Sequence, residues 1–360
     1  MDGRERNRAL LARQLLLERS PLSPLKAVEH LVGLQAQTPR SPYTALWSRL
    51  RSFDPLTLSR LLATRRTVRI ALMRSTIHLV SADDALLLRP LTMPIVMKEL
   101  TAPRWARALV GVDLQRLAVL AREILEAQPH TPKNLGLALS ATFPDNEPAA
   151  LAHAARSLLP LVQVPPRGLW DGAGATTLTT AEHWLGRPLG ESSWDAVLVR
   201  YLAAFGPATA ADAVAWAKVP GMARVLDRLR PQLTVLRDER GRELFDVPQA
   251  PRPPASTPAP PRFLPDFDNV LLSHADRSHV FPNAHRAAIQ TANGTVPGTL
   301  LVDGSVAAAW RVERSGTAAV LRIRQLADIP RSEHDAIRDE GLGLLSLLAS
   351  DAGSRDVVLA

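Results

Sequence analysis

Gln35 and Gln37 are the side chains in this sequence best spaced to act as a pair. Residues two apart diverge on a helix but share one face of extended chain. Each amide carries two N–H donors and a carbonyl acceptor. On a common face the two can converge on one small polar object, such as a water, a base edge or a phosphate. Neither is a strong base.

The flanking residues favour the extended geometry. Residues 24–34 place Leu25, Val28, Leu31, Val32 and Leu34 at helical spacing. Gly33 weakens that helix near its end, and Pro39 cannot continue it. Residues 34–39 therefore leave the helix as extended or turn chain. The exit runs through Arg40, Ser41, Pro42 and Tyr43.

Around this segment the pattern predicts helices over residues 4–19, 24–35, 42–51 and 56–65. The period then changes to two β-rich runs, 68–72 and 76–80, joined across Met73, Arg74 and Ser75, with His78 on the return strand. Helices followed by a short hairpin are the element order of a winged helix. A helical connector, 81–111, leads to a second cycle. It has helices at 113–127, 132–141 (opened by Thr131 and Pro132) and 147–159, then strands at 161–164 and 169–170 around Arg167 and Gly168. A third cycle has helices at 192–205, 210–218 and 222–229, the second opened by a Thr209/Asp212 capping box, and strands at 233–236 and 243–247. Residues 248–262 are proline-rich and read as a semi-rigid linker or strap. Beyond it, strands are expected at 269–272, 288–291, 298–302, 307–312 and 318–323, with a tight turn at Asp303 and Gly304. A helix at 332–349 and a strand at 357–359 close the chain. The fold class is α+β: three tandem winged-helix domains (1–111, 112–190 and 191–247), then the linker, then a small antiparallel β-barrel (263–360).

Charge bears on the partner. The 360 residues carry a formal net charge of +8, with a pI of about 10.7 and 46% hydrophobic content. The core is amply supplied, and the basicity suggests a polyanion. Residues 1–80 hold fourteen Lys or Arg against five Asp or Glu, so the excess surrounds the two glutamines. The absence of cysteine excludes disulfides, thiolate zinc sites and cysteine nucleophiles. Arg4, Arg6, Arg8 and Arg13 interrupt any signal-peptide core, and no uncharged apolar run is long enough for a membrane. A soluble cytoplasmic protein is expected.

Other chemistry is weakly signalled. No phosphate-binding glycine loop, nucleophile elbow or zinc-binding HExxH helix is present. Asp266, Asp268, His274, Asp276 and His279 match no zinc or calcium spacing. They read as a structural network with Arg277, so no metal and no cofactor is expected. Trp47, Trp216 and Trp310 sit in apolar patterns and read as core. Lysine occurs only at positions 26, 98, 133 and 218, none beside the glutamines, which argues against Schiff-base chemistry.

Four runs carry a resemblance: G-L-Q-A-Q-T-P-R-S-P-Y from residue 33, R-S-T-I-H-L-V from 74, L-P-D-F-D-N-V-L-L-S-H-A-D-R from 264 and L-L-V-D-G-S-V-A-A-A-W-R from 300. Together they resemble the AlkZ-like family of bacterial DNA glycosylases, within a larger group of winged-helix proteins, over nearly the whole chain. The last three motifs mark the broad family. The double glutamine marks a branch that unhooks bulky antibiotic–DNA adducts, whereas a sister branch has aspartate at the second position. The resemblance implies a C-shaped arrangement of the three winged helices and the barrel around duplex DNA. It also implies excision of N7- or N3-alkylated purines, including interstrand crosslinks, often as self-resistance in antibiotic producers. Gln35 and Gln37 correspond by position to the catalytic pair. A barrel hairpin is implied to probe the groove, for which Ala292, Asn293, Gly294 and Thr295 are nominated. Arg40, Arg74, His78, Arg277 and Arg286 are the further DNA-binding candidates. The implied partner is double-stranded DNA carrying alkylpurine adducts, met by a monomer in the bacterial nucleoid.

The chemistry of the residues is consistent with that implication. Alkylation at N7 makes the purine cationic, so the leaving group is already activated. Placing a water beneath C1′ becomes the main task, and two oriented amides suit it. Two rival readings remain open at this point: a non-enzymatic winged-helix regulator whose glutamines read an adenine edge, and a hydrolase of small nucleosides.

Overall fold

A computed structural model describes residues 1–289 and 294–359. The chain opens with the helix Gly3–Arg13, started by an Asp2/Glu5 capping box. This helix is central rather than peripheral, and the arginines that made the N-terminus look like a basic surface are mostly inside. Arg13 forms a two-pronged pair with Asp246, at 2.6 and 2.9 Å, and Arg252 shares that carboxylate. Arg8 pairs with Asp303 and Arg6 with Asp212. Buried charges persist only when partnered, and removing one member of such a pair costs about 3–5 kcal/mol. The helix thereby ties the middle of the chain to its C-terminal third.

The first sheet comprises β1 (Leu34–Gln35), β2 (Thr67–Ala71), β3 (Ile77–Ser81), β4 (Leu161–Gln163) and β5 (Leu178–Thr180), in the order β1-β3-β2-β4-β5. It crosses the expected 111/112 boundary, because β4 pairs with β2. Helices Pro24–His30, Ser41–Arg49 and Pro55–Ala63 cover it, the first and third capped by Ser23 and Asp54. The expected hairpin between 161–164 and 169–170 is not formed. Pro165 and Pro166 have no N–H for a ladder, so the chain loops out and returns as β5. Trp170 in that loop packs on Tyr43.

The helix Ala82–Lys98 leads to Leu114–Ala127, Pro132–Leu139 and Pro148–Leu158, which enclose Leu117, Leu125, Leu135 and Leu151. Trp194–Phe205, Ala210–Ala217 and Met222–Leu229 follow, then the hairpin of β6 (Thr234–Arg237) and β7 (Glu243–Asp246). The proline-rich stretch is a strap held by arginines. Arg4 donates to the Ala255 carbonyl at 2.8 Å, Arg8 to Thr257 at 2.6 Å and Arg13 to Pro251 at 3.2 Å. Polyproline-like chain makes no internal hydrogen bonds, so its carbonyls are available.

The C-terminal region is an open sheet rather than a closed barrel. β8 (Arg262–Leu264), β9 (Thr299–Val302), β10 (Ser305–Ser315), β11 (Ala318–Gln325) and β12 (Ser354–Leu359) are ordered β12-β11-β10-β9-β8. Among the described residues no pairing joins β8 to β12. Nor is the sheet wholly antiparallel, since β12 lies parallel to β11. Parallel neighbours need a crossover, and the helix His334–Leu348 supplies it, burying Leu344 and Leu345 against Phe263 and Leu321. The run expected as a strand at 269–272 is instead a short 3₁₀ turn, Asn269–Leu271, because the Asp268 carboxylate accepts from the Val270 N–H. Of the strand expected at 288–291, residues 288 and 289 belong instead to the helix Arg286–Ile289, and 290 and 291 lie outside the described residues. Among the described residues no helix is long and apolar enough to cross a membrane.

Candidate active site

Both glutamines lie outside the helix, Gln35 in the short strand β1 and Gln37 in the bend that follows it. The helix Pro24–His30 ends earlier than expected, and Gly33 turns the chain at φ +89°. A Cβ at Gly33 would fall 2.6 Å from a methyl of Val80, so only glycine fits. β1 then pairs with β3, setting Gln35 opposite His78. Ala36, between the glutamines, is fixed on both sides. Its N–H donates to Ile77 at 2.7 Å, and its carbonyl accepts from the buried Arg69 at 2.8 Å. Gly168, at φ +100°, lies against the Arg69 side chain, and its carbonyl accepts from the Tyr43 hydroxyl at 2.8 Å.

Both amide oxygens are engaged. Gln35 Oε1 accepts from Arg74 Nη2 at 2.8 Å, and Gln37 Oε1 accepts from the Ile77 N–H at 3.2 Å. Guanidinium and backbone N–H can only donate, so these contacts fix which end of each amide faces inward. Among the described residues neither Nε2 donates to a protein acceptor. Gln35 is buried, whereas Gln37 is exposed.

Arg74 stands at the strained tip between β2 and β3, at φ +57°. Left-handed backbone is unfavourable for a residue bearing Cβ, by about 1 kcal/mol, and here the inward contacts of the side chain offset it. The guanidinium reaches the Trp216 carbonyl at 2.8 Å, Gln35, and His78 Nε2 at 3.3 Å. Burial, then the neighbouring Arg277, lowers its pKa to about 10, which still leaves it charged at neutral pH. His78 is wholly buried. Burial, then Arg74, pushes its pKa down to about 3. The neutral ring donates from Nδ1 to the Thr76 carbonyl at 2.9 Å and receives Arg74 at Nε2. His78 is therefore a support for Arg74 and Gln35, not a DNA contact, because no part of it meets solvent.

Thr38, the residue after Gln37, lines a cleft of about 270 Å³ together with Arg40, Ser41, Asp266, Trp310 and Arg314, while neither glutamine is part of that lining. A larger cavity, about 530 Å³, lies between Arg65, Trp184 and Arg187 and shares no residue with the glutamine segment. The loop after β8 is fastened along that segment. Asn269 donates to the Gly33 carbonyl at 2.9 Å, Asp268 takes both prongs of Arg49 at 2.9 Å, and Asp266 faces the cleft beside Thr38. Burial raises the Asp266 pKa above the ordinary carboxylate value, while the Gly298 N–H and the Thr38 hydroxyl partly oppose this.

Of the other nominated residues, Arg40 is exposed at the cleft, its guanidinium 4.9 Å from the centre of the Trp170 ring. Arg277 is half-buried near Arg74, donating to the His274 carbonyl at 3.0 Å, and the exposed Arg286 is close enough to depress its pKa further. Asn293 lies outside the described residues, as does Ala292 of the same nominated hairpin. Asp276 is paired with Arg242 and His274 with the Phe205 carbonyl. Among the described residues no group of three or more His, Asp or Glu is placed to hold a metal ion. Asp266 is the site residue that sequence reasoning passed over. It was grouped with acids whose partners, Arg49 and Arg242, lie far away in the chain, and nothing local separates it from them.

Comparison with known proteins agrees with this layout. The family model described as "DNA glycosylase AlkZ-like" matches residues 28–347, a span containing both glutamines and the Asp266 loop. No curated protein matches. The fold superimposes on Streptomyces sahachiroi DNA glycosylase AlkZ with a TM-score of 0.77 and 21% identity, covering 100% of both chains. At that identity the likeness establishes the fold, and the family match establishes kinship and enzyme class. The chain belongs to the AlkZ-like family of DNA glycosylases.

Proposed function

We propose that this glycosylase belongs to the double-glutamine branch and hydrolyses the N-glycosidic bond of N7- or N3-alkylated purines, with Gln35 and Gln37 holding the attacking water beneath C1′. The observation that carries this reading is the fixed pair of amides, Gln35 on β1 and Gln37 in the bend just after it. Their oxygens are taken by Arg74 and Ile77, and among the described residues their N–H groups have no protein acceptors. Neutral donors are suited to a substrate whose leaving group already bears positive charge. Proximity and orientation then account for much of the rate.

The exposed position of Gln37 supports a bulky lesion attacked without full extrusion of the base into a tight pocket. We assign the enzyme to bulky alkylpurine adducts and interstrand crosslinks, the lesions that a producer of a DNA-alkylating metabolite must clear from its own DNA. None of its four lysines lines the cleft, in keeping with a monofunctional hydrolase. The helical units, the first two of which share one five-stranded sheet, are read as winged helices that, with the C-terminal sheet, surround the duplex as a monomer. Arg40, Arg277 and Arg286 are assigned to phosphates.

The test is base release from duplex DNA carrying an N7-alkylguanine. Wild type releases the base, and Gln37→Ala binds the duplex but releases little. Undiminished release by that variant overturns the role of Gln37. A duplex joined through N7-alkyl links, run on a denaturing gel, tests unhooking: the crosslinked band must fall to single strands.

A further inference from the structure

We propose that Asp266 is the proton acceptor of this reaction. Its carboxylate takes a proton from the water as the water oxygen bonds to C1′, while the C1′–N9 bond breaks and its electron pair returns to the alkylated purine. The inference rests on the glycosidic reading above and supplies what the two amides lack. An amide whose oxygen is already hydrogen-bonded presents N–H donors, and a donor cannot remove a proton.

Three features point to Asp266 rather than another acid. It lines the cleft together with Thr38, the residue after Gln37, whose hydroxyl lies close enough to favour the ionised carboxylate. Thr38 directly follows Gln37, so the same short stretch of chain carries a glutamine and borders this carboxylate. Second, it is unpaired among the described residues. Asp268, two residues on, is locked in a buried pair with Arg49, and Asp276 is held by Arg242 and Arg240. Third, the charged groups facing it are suited to a nucleotide. Arg40 and Arg314 share the lining, with Arg314 already paired to Asp351 at 2.7 Å.

Burial makes this carboxyl more basic than an ordinary one, which favours proton uptake in the transition state. In its ionised form it also places negative charge where the sugar develops positive charge. A purely structural reading gives Asp266 the task of tying the loop to Thr38 and Gly298. The two readings differ in pH behaviour.

The experiment is single-turnover base release from an N7-methylguanine duplex across pH, with duplex binding measured in parallel. Asp266→Asn keeps the shape and is expected to slow release by about 10²- to 10⁴-fold, to leave binding unchanged and to abolish the acid limb of the profile. Thr38→Val keeps the carboxylate but removes a contact that favours its ionised form. It is expected to move the acid limb to higher pH with a far smaller loss of rate. Release by Asp266→Asn at the wild-type rate overturns the assignment, as do equal losses in both variants with an unmoved profile. If Asp266→Asn does not fold, Thr38→Val decides: an acid limb that stays in place overturns the assignment. Wild-type protein that releases no base overturns the glycosidic reading itself, a result distinct from release that survives the loss of Asp266.

Discussion

The side-chain oxygen of Gln35 is held by the guanidinium of Arg74 at 2.8 Å, across 39 residues of chain. The same guanidinium bonds the Trp216 carbonyl, 142 residues away. One side chain thus links the proposed catalytic strand to the third helical unit, with the neutral His78 beneath both.

Replacing Arg74 with Met is expected to release the Gln35 amide from its fixed orientation. Single-turnover base release should drop about 10- to 100-fold, or about 1.4–2.7 kcal/mol in the barrier, with little change in duplex affinity. Arg74→Lys should recover only part of the loss, because one ammonium cannot match the planar fork that reaches Gln35, His78 and Trp216 together. Full activity in Arg74→Met would remove the orienting role.

Gly168→Ala should destabilise the fold. The backbone there sits at φ +100°, and a Cβ would lie 2.9 Å from Arg69 Cδ. Left-handed strain of this kind is worth about 1–3 kcal/mol. Arg69 also holds the carbonyl of Ala36, so the displacement reaches the residue between the glutamines. A lowered Tm together with slower base release is the expected pair of results, and an unchanged Tm contradicts it.

Acid should weaken the protein through its buried histidines. The folded pKa of His78 lies at about 3, and burial also lowers those of His274 and His279. In the unfolded chain each takes up a proton near the ordinary value of about 6.5. Between these limits the unfolded state binds more protons, so stability is present above about pH 6.5 and is lost as pH falls towards 3. Each histidine contributes a slope of up to about 1.4 kcal/mol per pH unit. Urea denaturation at pH 7 and pH 5 measures this, and His78→Gln should flatten the dependence.

The salt dependence of duplex binding separates surface arginines from interior ones. Arg40→Ala and Arg286→Ala should each reduce the slope of log K against log salt by about 0.9. Arg13→Met should lower stability and leave that slope as it is, because Arg13 is buried against Asp246. Filter or anisotropy titrations at several salt concentrations give the slopes.

The local features of the fold were legible in sequence. Glycine at 33, with the left-handed backbone it allows, and proline at 39 mark a stretch that is not helical, with Gln35 on a short strand and Gln37 in a bend. The caps at Thr131 and Thr209 stand where side-chain chemistry placed them. What could not be read was long-range. A proline pair sent β4 to β5 rather than to 169–170, and a parallel last strand kept the C-terminal sheet open. The same limit hid Asp266. Its neighbours Asp268 and Asp276 find partners that only the tertiary fold brings near, so an unpaired acid looked like one more member of a structural group.

The interior arginines of the first helix also bear on how the protein is made. During synthesis Arg13 emerges 233 residues ahead of Asp246, and Arg8 emerges 295 ahead of Asp303. Until those acids leave the ribosome, Arg13 and Arg8 lack the carboxylates they pair with in the fold. The contacts that hold the first helix in the fold are therefore completed only after the chain has been made as far as Asp303.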